Sequence, residues 1–391
     1  MIAYPVNDCQ NLLVREMVDN AVKQELVKPL EAANIKLRYP VRLYTPNVFI
    51  RVGLAILTVV IVSAAFGLMG MLMGFDSLGK AFPFILSLLS YLGLEWLIRN
   101  KYHFKSGADD MLLYMGLSYL LLFFSITFGF ESSQAQFLTG ILSFLVFSVA
   151  AYRYLDRLCA VAALLGLLYS LGMLHLVIMP ALRNFLPWTV ALVFAAIFFL
   201  ARKLRGSKHS LLHQDVLYWT EAAAALIAYA ALHYFLVERL SLMLNTVNGA
   251  NSLDEHAVLP LGCLYWAWAG IIPFLFLYFG IKQHDRLLIR LGILTLVVLP
   301  IAIRYYYQMF LPEVAMLVYG TLLIAITYFI IRYLRQHKTA FTYEPGGDQA
   351  DLLQAENLLI AAGFAGTGQT AAPDTRFGGG QFGGGGAGGE Y

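Results

Sequence analysis

Apolar residues in this chain fall in long unbroken runs rather than in alternation, and short polar stretches separate the runs. An α-helix rises 1.5 Å per residue, so about 20 apolar residues cross roughly 30 Å of hydrocarbon. Runs near that length stand at 52–74, 81–98, 111–130, 136–152, 158–178, 186–201, 216–238, 259–281, 287–303 and 313–333. In lipid only helices and closed barrels satisfy their own backbone groups, and barrel strands alternate whereas these runs do not. The pattern predicts an all-α, polytopic membrane bundle of about ten transmembrane helices, with the lipid bilayer as its first partner.

The connecting segments set the orientation. With the N-terminus inside, 23 of the 27 Lys and Arg residues fall in cytoplasmic segments, and only Lys80, Arg183, Arg239 and Arg304 fall outside. A bias of this kind, repeated loop by loop, places both termini in the cytoplasm. The ninth run is the shortest stretch between charges, because only 13 residues separate Arg290 from Arg304. Tyr305, Tyr306 and Tyr307 follow it as an interfacial belt, which favours a full crossing.

Four regions follow: a cytoplasmic amphipathic segment over 1–47, the ten-helix domain over 48–338, a linker with a short amphipathic helix over 339–366, and a glycine-rich tail over 367–391. Residues 8–34 read as one surface or interfacial helix, with Leu13, Met17, Leu26 and Leu30 at helical spacing. Lys36, Arg38 and Arg42 precede the first run and suit anionic headgroups. Leu352, Leu353, Leu358, Leu359 and Ile360 form the apolar set of the later helix. The tail has too much glycine for a packed core. Either end is a candidate docking element for a protein partner.

Composition agrees with this picture. Hydrophobic residues make up 59% of the chain and charged residues 13%, against about 25% charged in soluble proteins. That balance argues against a soluble enzyme, a disordered chain or a nucleic-acid binder. The net charge of +3 calls for no strongly anionic partner. Cys9, Cys159 and Cys263 are isolated and odd in number, which argues against a disulfide framework or a thiolate metal site. The polar first 47 residues lack the pattern of a cleaved signal, so the first run is expected to be an uncleaved anchor.

The tail, with Phe377–Gly380, Phe382–Gly386, Ala387 and Tyr391, resembles the endings of bacterial TPM-domain membrane proteins. The resemblance covers about 16 residues of 391. It implies a bacterial envelope setting, the cytoplasmic (inner) membrane, and a tail in which Phe377, Phe382 and Tyr391 make contacts. It transfers no catalytic residue, because the rest of the chain lacks the TPM domain.

A complete phosphate loop of the GxxxxGK[ST] form, HExxH, CxxC and GxSxG are missing from the sequence, so no cofactor or metal is expected. Ionisable residues inside spans are the functional candidates, since each costs about 3 kcal/mol at the bilayer centre. Glu95 has Arg99 one turn along its helix, which forms a local pair. Glu221 lies about 7–8 Å inside the seventh run, with Leu217 and Ala225 as its neighbours. Alanines after it permit close helix contact, so Glu221 should face the bundle. Pro273, with Gly262 and Gly270, marks the eighth run as the place for a break. His175, His233, Glu238 and Arg304 share one depth on the external side and form a candidate pocket, joined by Asp254, Glu255 and His256 of the following loop. No internal repeat is visible.

Three functions fit. The first is a non-enzymatic envelope scaffold or assembly partner acting through its cytoplasmic ends. The second is a small-solute transporter or channel using Glu221 and the Pro273 kink. The third is a membrane enzyme on lipid-linked substrates using the external histidines, Glu238 and Arg304. The absence of catalytic motifs favours the first, and oligomeric state is not written in the sequence.

Overall fold

The computed structural model describes residues 2–23, 26–73, 79–128, 132–247 and 261–307, with single positions between 314 and 332. Apart from those positions the predicted tenth span lies outside the described residues. So do residues 348–364, the tail with Phe377, Phe382 and Tyr391, and most of the 245–257 loop.

Among the described residues the chain forms twelve α-helices. They are α1 (Val6–Lys23), α2 (Pro29–Arg38), α3 (Val48–Met73), α4 (Ala81–Lys101), α5 (Ala108–Phe128), α6 (Ser133–Tyr154), α7 (Arg157–Met173), α8 (Leu186–Arg205), α9 (Gln214–Ala231), α10 (Tyr234–Val247), α11 (Gly262–Gln283) and α12 (Arg286–Tyr307). Eight helical stretches are long and apolar enough to cross a membrane, and α9 with α10 makes a ninth if that bent pair is one span. The ninth predicted run is the 22-residue α12, longer than the distance between its arginines required.

Three expectations change. The predicted single helix over 8–34 is two helices, because Pro29 lacks an N–H and its ring excludes a continuing helix. Pro29 opens α2 instead, where the Glu31 carboxylate accepts the Lys28 N–H at 3.4 Å. The seventh predicted run, 216–238, is also broken. Its halves meet at 64° around Leu232–His233, with Leu232 off helical geometry at φ −106° and ψ 11°. Hydropathy counts apolar residues and is blind to such a bend. Pro273, by contrast, stays buried inside α11, which passes as one span without a sharp break.

The N-terminal segment is docked on one end of the bundle, here called the near end. Ala3 N–H bonds Arg153 O at 2.9 Å, at the end of α6. Tyr4 meets Phe104 edge to face at 4.8 Å. Tyr44 exchanges backbone bonds with Tyr102 and Phe104 just past α4. Arg15 holds the last carbonyls of α2, at Lys36 and Tyr39, where a cation suits the helix dipole. Cys9 is buried in this interface, and burial raises its thiol to about 11.

Helices pack by close approach, since lipid supplies no hydrophobic drive between them. The alanine face of α9, with Ala224, Ala225 and Ala228 buried, lies against Phe194 of α8 and Leu287, Leu288 and Leu291 of α12. A Cβ at Gly166 of α7 would sit 3.0 Å from the Phe144 backbone N of α6, so those two backbones touch directly.

A repeated turn also appears. Arg153-Tyr154-Leu155-Asp156-Arg157-Leu158 and Lys282-Gln283-His284-Asp285-Arg286-Leu287 each end one helix and start the next. Leu155 and His284 are left-handed, at φ 54° and 57°. The following aspartate caps the next helix: Asp156 Oδ1 accepts Cys159 N–H at 2.7 Å, and Asp285 Oδ1 accepts Leu287 N–H at 2.9 Å.

Candidate functional site

Each capping aspartate uses its second oxygen to hold a neighbouring hairpin, and two polar networks grow from this at the near end. In the first, Asp156 Oδ2 accepts the Tyr114 hydroxyl of α5 at 2.8 Å. Glu95 Oε1 accepts Arg153 Nη2 at 2.6 Å and the Tyr154 hydroxyl at 2.8 Å, while Oε2 pairs with Arg99 at 3.2 Å. The local pair read from sequence is present, and Arg153 and Tyr154 of α6 are added to it. Nearby, Arg51 of α3 binds Asp110 of α5 through Nε at 3.2 Å and Nη2 at 2.6 Å.

In the second network Glu221 of α9 is fully buried. Arg202 donates to its Oε1 at 2.8 Å, and Arg205 pairs with Oε2 at 2.9 Å without hydrogen-bond alignment. Both arginines also reach Asp285 Oδ2, at 2.9 and 2.8 Å. Two cations thus meet two carboxylates. Its neighbours one turn away on α9, Leu217 and Ala225, offer no base; the partners Arg202 and Arg205 come from α8, and the fold brings them.

A third group lies in the turn before α5. Ser106 is completely buried and donates its hydroxyl to Asp109 Oδ1 at 2.8 Å. That oxygen also takes the Ser106 N–H at 2.8 Å. The serine's one proton is committed to Asp109, so its oxygen accepts from His103 Nδ1 at 2.7 Å. In a hydrolase the serine donates to the histidine. Here the order is reversed and the serine is sealed, so the trio holds the turn and has no activated nucleophile.

Burial pulls the His103 pKa below its ordinary 6.5, with Lys101 adding to this and Asp109 opposing it. A depressed histidine favours the neutral form in the folded state, so its contribution is complete above pH 6.5 and is lost as pH falls through the folded value. Melting temperature in detergent is expected to drop on acidification below about pH 6.5. His103→Asn should remove part of that drop, and an unchanged pH profile would contradict it.

The far-end candidates occupy separate settings. His175 is buried and meets Leu171 O at 3.0 Å and Thr189 Oγ1 at 3.2 Å, beside a π-helical turn at Leu174–Ile178. His233 sits at the bend, edge-on to Tyr229, and among the described residues its Nε2 has no hydrogen-bond partner. Glu238 is buried on α10, past the bend from the helix that carries Glu221, and accepts from the Tyr306 hydroxyl of α12. Tyr306 packs with Tyr234 and Trp266, and Arg239 lies between Phe235 and Tyr305. Arg304 lies near the end of α12. Among the described residues no group of three His, Cys, Asp or Glu side chains is arranged to hold a metal.

The sequence did not single out Arg51, His103, Ser106, Asp109, Asp110, Asp156, Arg202, Arg205 or Asp285. Asp-Arg-Leu recurring at 156–158 and 285–287 was the available signal.

Apolar helices of membrane-crossing length, with charged networks gathered at their ends, define a multi-span α-helical membrane protein. No protein-family model, curated protein or solved structure matches the chain.

Proposed function

We propose that the chain is a non-enzymatic scaffold or assembly partner of the bacterial cytoplasmic membrane, acting through ends that face the cytoplasm. The observation that carries this reading is the N-terminal segment, fixed on the near end by Ala3, Tyr4 and Tyr44. It makes a structured platform from residues that a transporter or enzyme body would not need. That platform leaves Leu30 and Leu37 of α2 more than three-quarters exposed, beside Lys36 and Arg38. The arginine-rich near end supports its placement in the cytoplasm by the positive-inside rule. The transporter reading is less favoured because Glu221 is held by two arginines rather than facing a passage. The enzyme reading is less favoured because His175 is bonded into the α7–α8 pair while Glu238 is bonded to α12.

The test uses full-length protein in its native membrane. Leu30→Glu with Leu37→Glu should shrink the native-gel assembly while Cys9 stays protected from maleimide, which shows the segment still docked. Reconstituted vesicles should leak no more than protein-free ones. Solute flux that falls with Glu221→Gln or Pro273→Ala would overturn the proposal. So would an assembly unchanged both by the α2 substitutions and by deletion of 339–391.

A further inference from the structure

A cavity of about 610 Å³ opens between α6, α7, α8 and α9, within the roughly 300–1,000 Å³ of small-ligand sites. Four of its six polar groups gather at the near end, as Tyr152, Ser207, Ser210 and His213. There the His213 ring stacks on Tyr152 with centroids 4.5 Å apart. Away from that mouth the walls are mainly apolar and reach Phe144, Leu164 and Ile197, with Ser148 of α6 and Thr220 of α9 as the polar exceptions; the Thr220 hydroxyl donates to Val216 O at 2.8 Å. The small side chains Ala160 and Ala163 leave the space open. Tyr152 to Phe144 is eight residues of α6, about 12 Å of rise, close to one leaflet of a roughly 30 Å hydrocarbon core.

We infer that this cavity binds one acyl chain of an anionic phospholipid, with the headgroup at the Ser207–His213 mouth. Its form is that of an amphiphile: most hydrogen-bonding groups at one end and mainly apolar walls over one leaflet's depth. Charge selects the headgroup. Residues 202–213 carry Arg202, Lys203, Arg205 and Lys208 and no acid. Arg202 and Arg205 are taken by Glu221 and Asp285, while Lys203 is exposed. A phosphate suits this segment, and a neutral headgroup gains nothing from it.

The experiment reconstitutes the full chain in vesicles of equal phosphatidylglycerol and phosphatidylcholine, extracts it in mild detergent, and measures retained lipid by native mass spectrometry. Wild type is expected to keep one phosphatidylglycerol per chain in preference to phosphatidylcholine. Ser148→Phe fills the cavity wall and should cut retention about tenfold at unchanged melting temperature of the lipid-free protein. Leu204→Trp at the exposed rim is a second occluding variant and should do the same. The inference is overturned if wild type keeps no phospholipid or shows no headgroup preference, or if both occluding variants fold and retain it fully. It is overturned as well if phospholipid binds only after residues 339–391 are deleted, which would make the chain's own C-terminal segment the occupant.

Discussion

Replacing Glu221 with leucine is expected to destabilise the detergent-solubilised bundle by on the order of 3 kcal/mol. The change leaves Arg202 and Arg205 sharing Asp285 as their carboxylate partner among the described residues. Removing one partner of a buried ion pair strands the other charge, and that penalty is larger than the pair's own net contribution. The arginine side chains are 24% exposed, so water relieves part of the cost and the estimate stays at the lower end of its range. Glu221→Gln keeps an acceptor and should cost less. Unfolding in mixed micelles followed by circular dichroism gives the difference, and a double-mutant cycle with Arg205→Ala should return a coupling of about 0.5–3 kcal/mol. Equal stabilities for wild type and the leucine variant would show that the lattice does not hold α8, α9 and α12 together.

The second large effect is expected at Gly107. Its φ of +92° lies where side-chain-bearing residues are strained, and a Cβ there would stand 2.1 Å from the Arg51 carbonyl oxygen. The obstacle is backbone, so no rotamer change relieves it. Left-handed strain alone costs about 1–2 kcal/mol. With α3 pushed off the turn, Gly107→Ala should lose at least about 3 kcal/mol. It should also weaken the Arg51–Asp110 pair that depends on the same approach. Gly53→Ala, on the same α3 but with nothing within 4 Å of an added Cβ, is the control and should unfold no earlier than wild type. If the two variants unfold together, the close approach of Arg51 to the turn is not what fixes α3.

The membrane-crossing helices were legible because each depends on local composition alone. A lipid-facing helix such as α3 needs only a long, predominantly apolar stretch, here the 25 residues Val48–Leu72, and its sequence states that directly. The Glu95–Arg99 pair was legible for the same reason, since one helical turn separates the two. The Glu221 partners were not, because Arg202 lies 19 residues away on another helix, and only packing of α8 against α9 decides which bases face inward. The bend at His233 was missed for a different cause. No glycine or proline occupies 232–234, so the run carries none of the usual marks of a break. Pro273 carries one and remains within a single helix.

The docked N-terminal segment also fixes an order of events. Ala3 and Tyr4 leave the ribosome before the spans that follow them, yet their contacts are Phe104 and the Arg153 carbonyl at the end of α6. For the time it takes to make roughly 150 residues, at about 5–20 per second, the segment has nowhere to settle. It closes only after four spans have been threaded and their ends have met. Its closure, read as protection of Cys9, therefore works as a timestamp of insertion: a chain whose fourth span is mis-set keeps an open first segment and an accessible thiol.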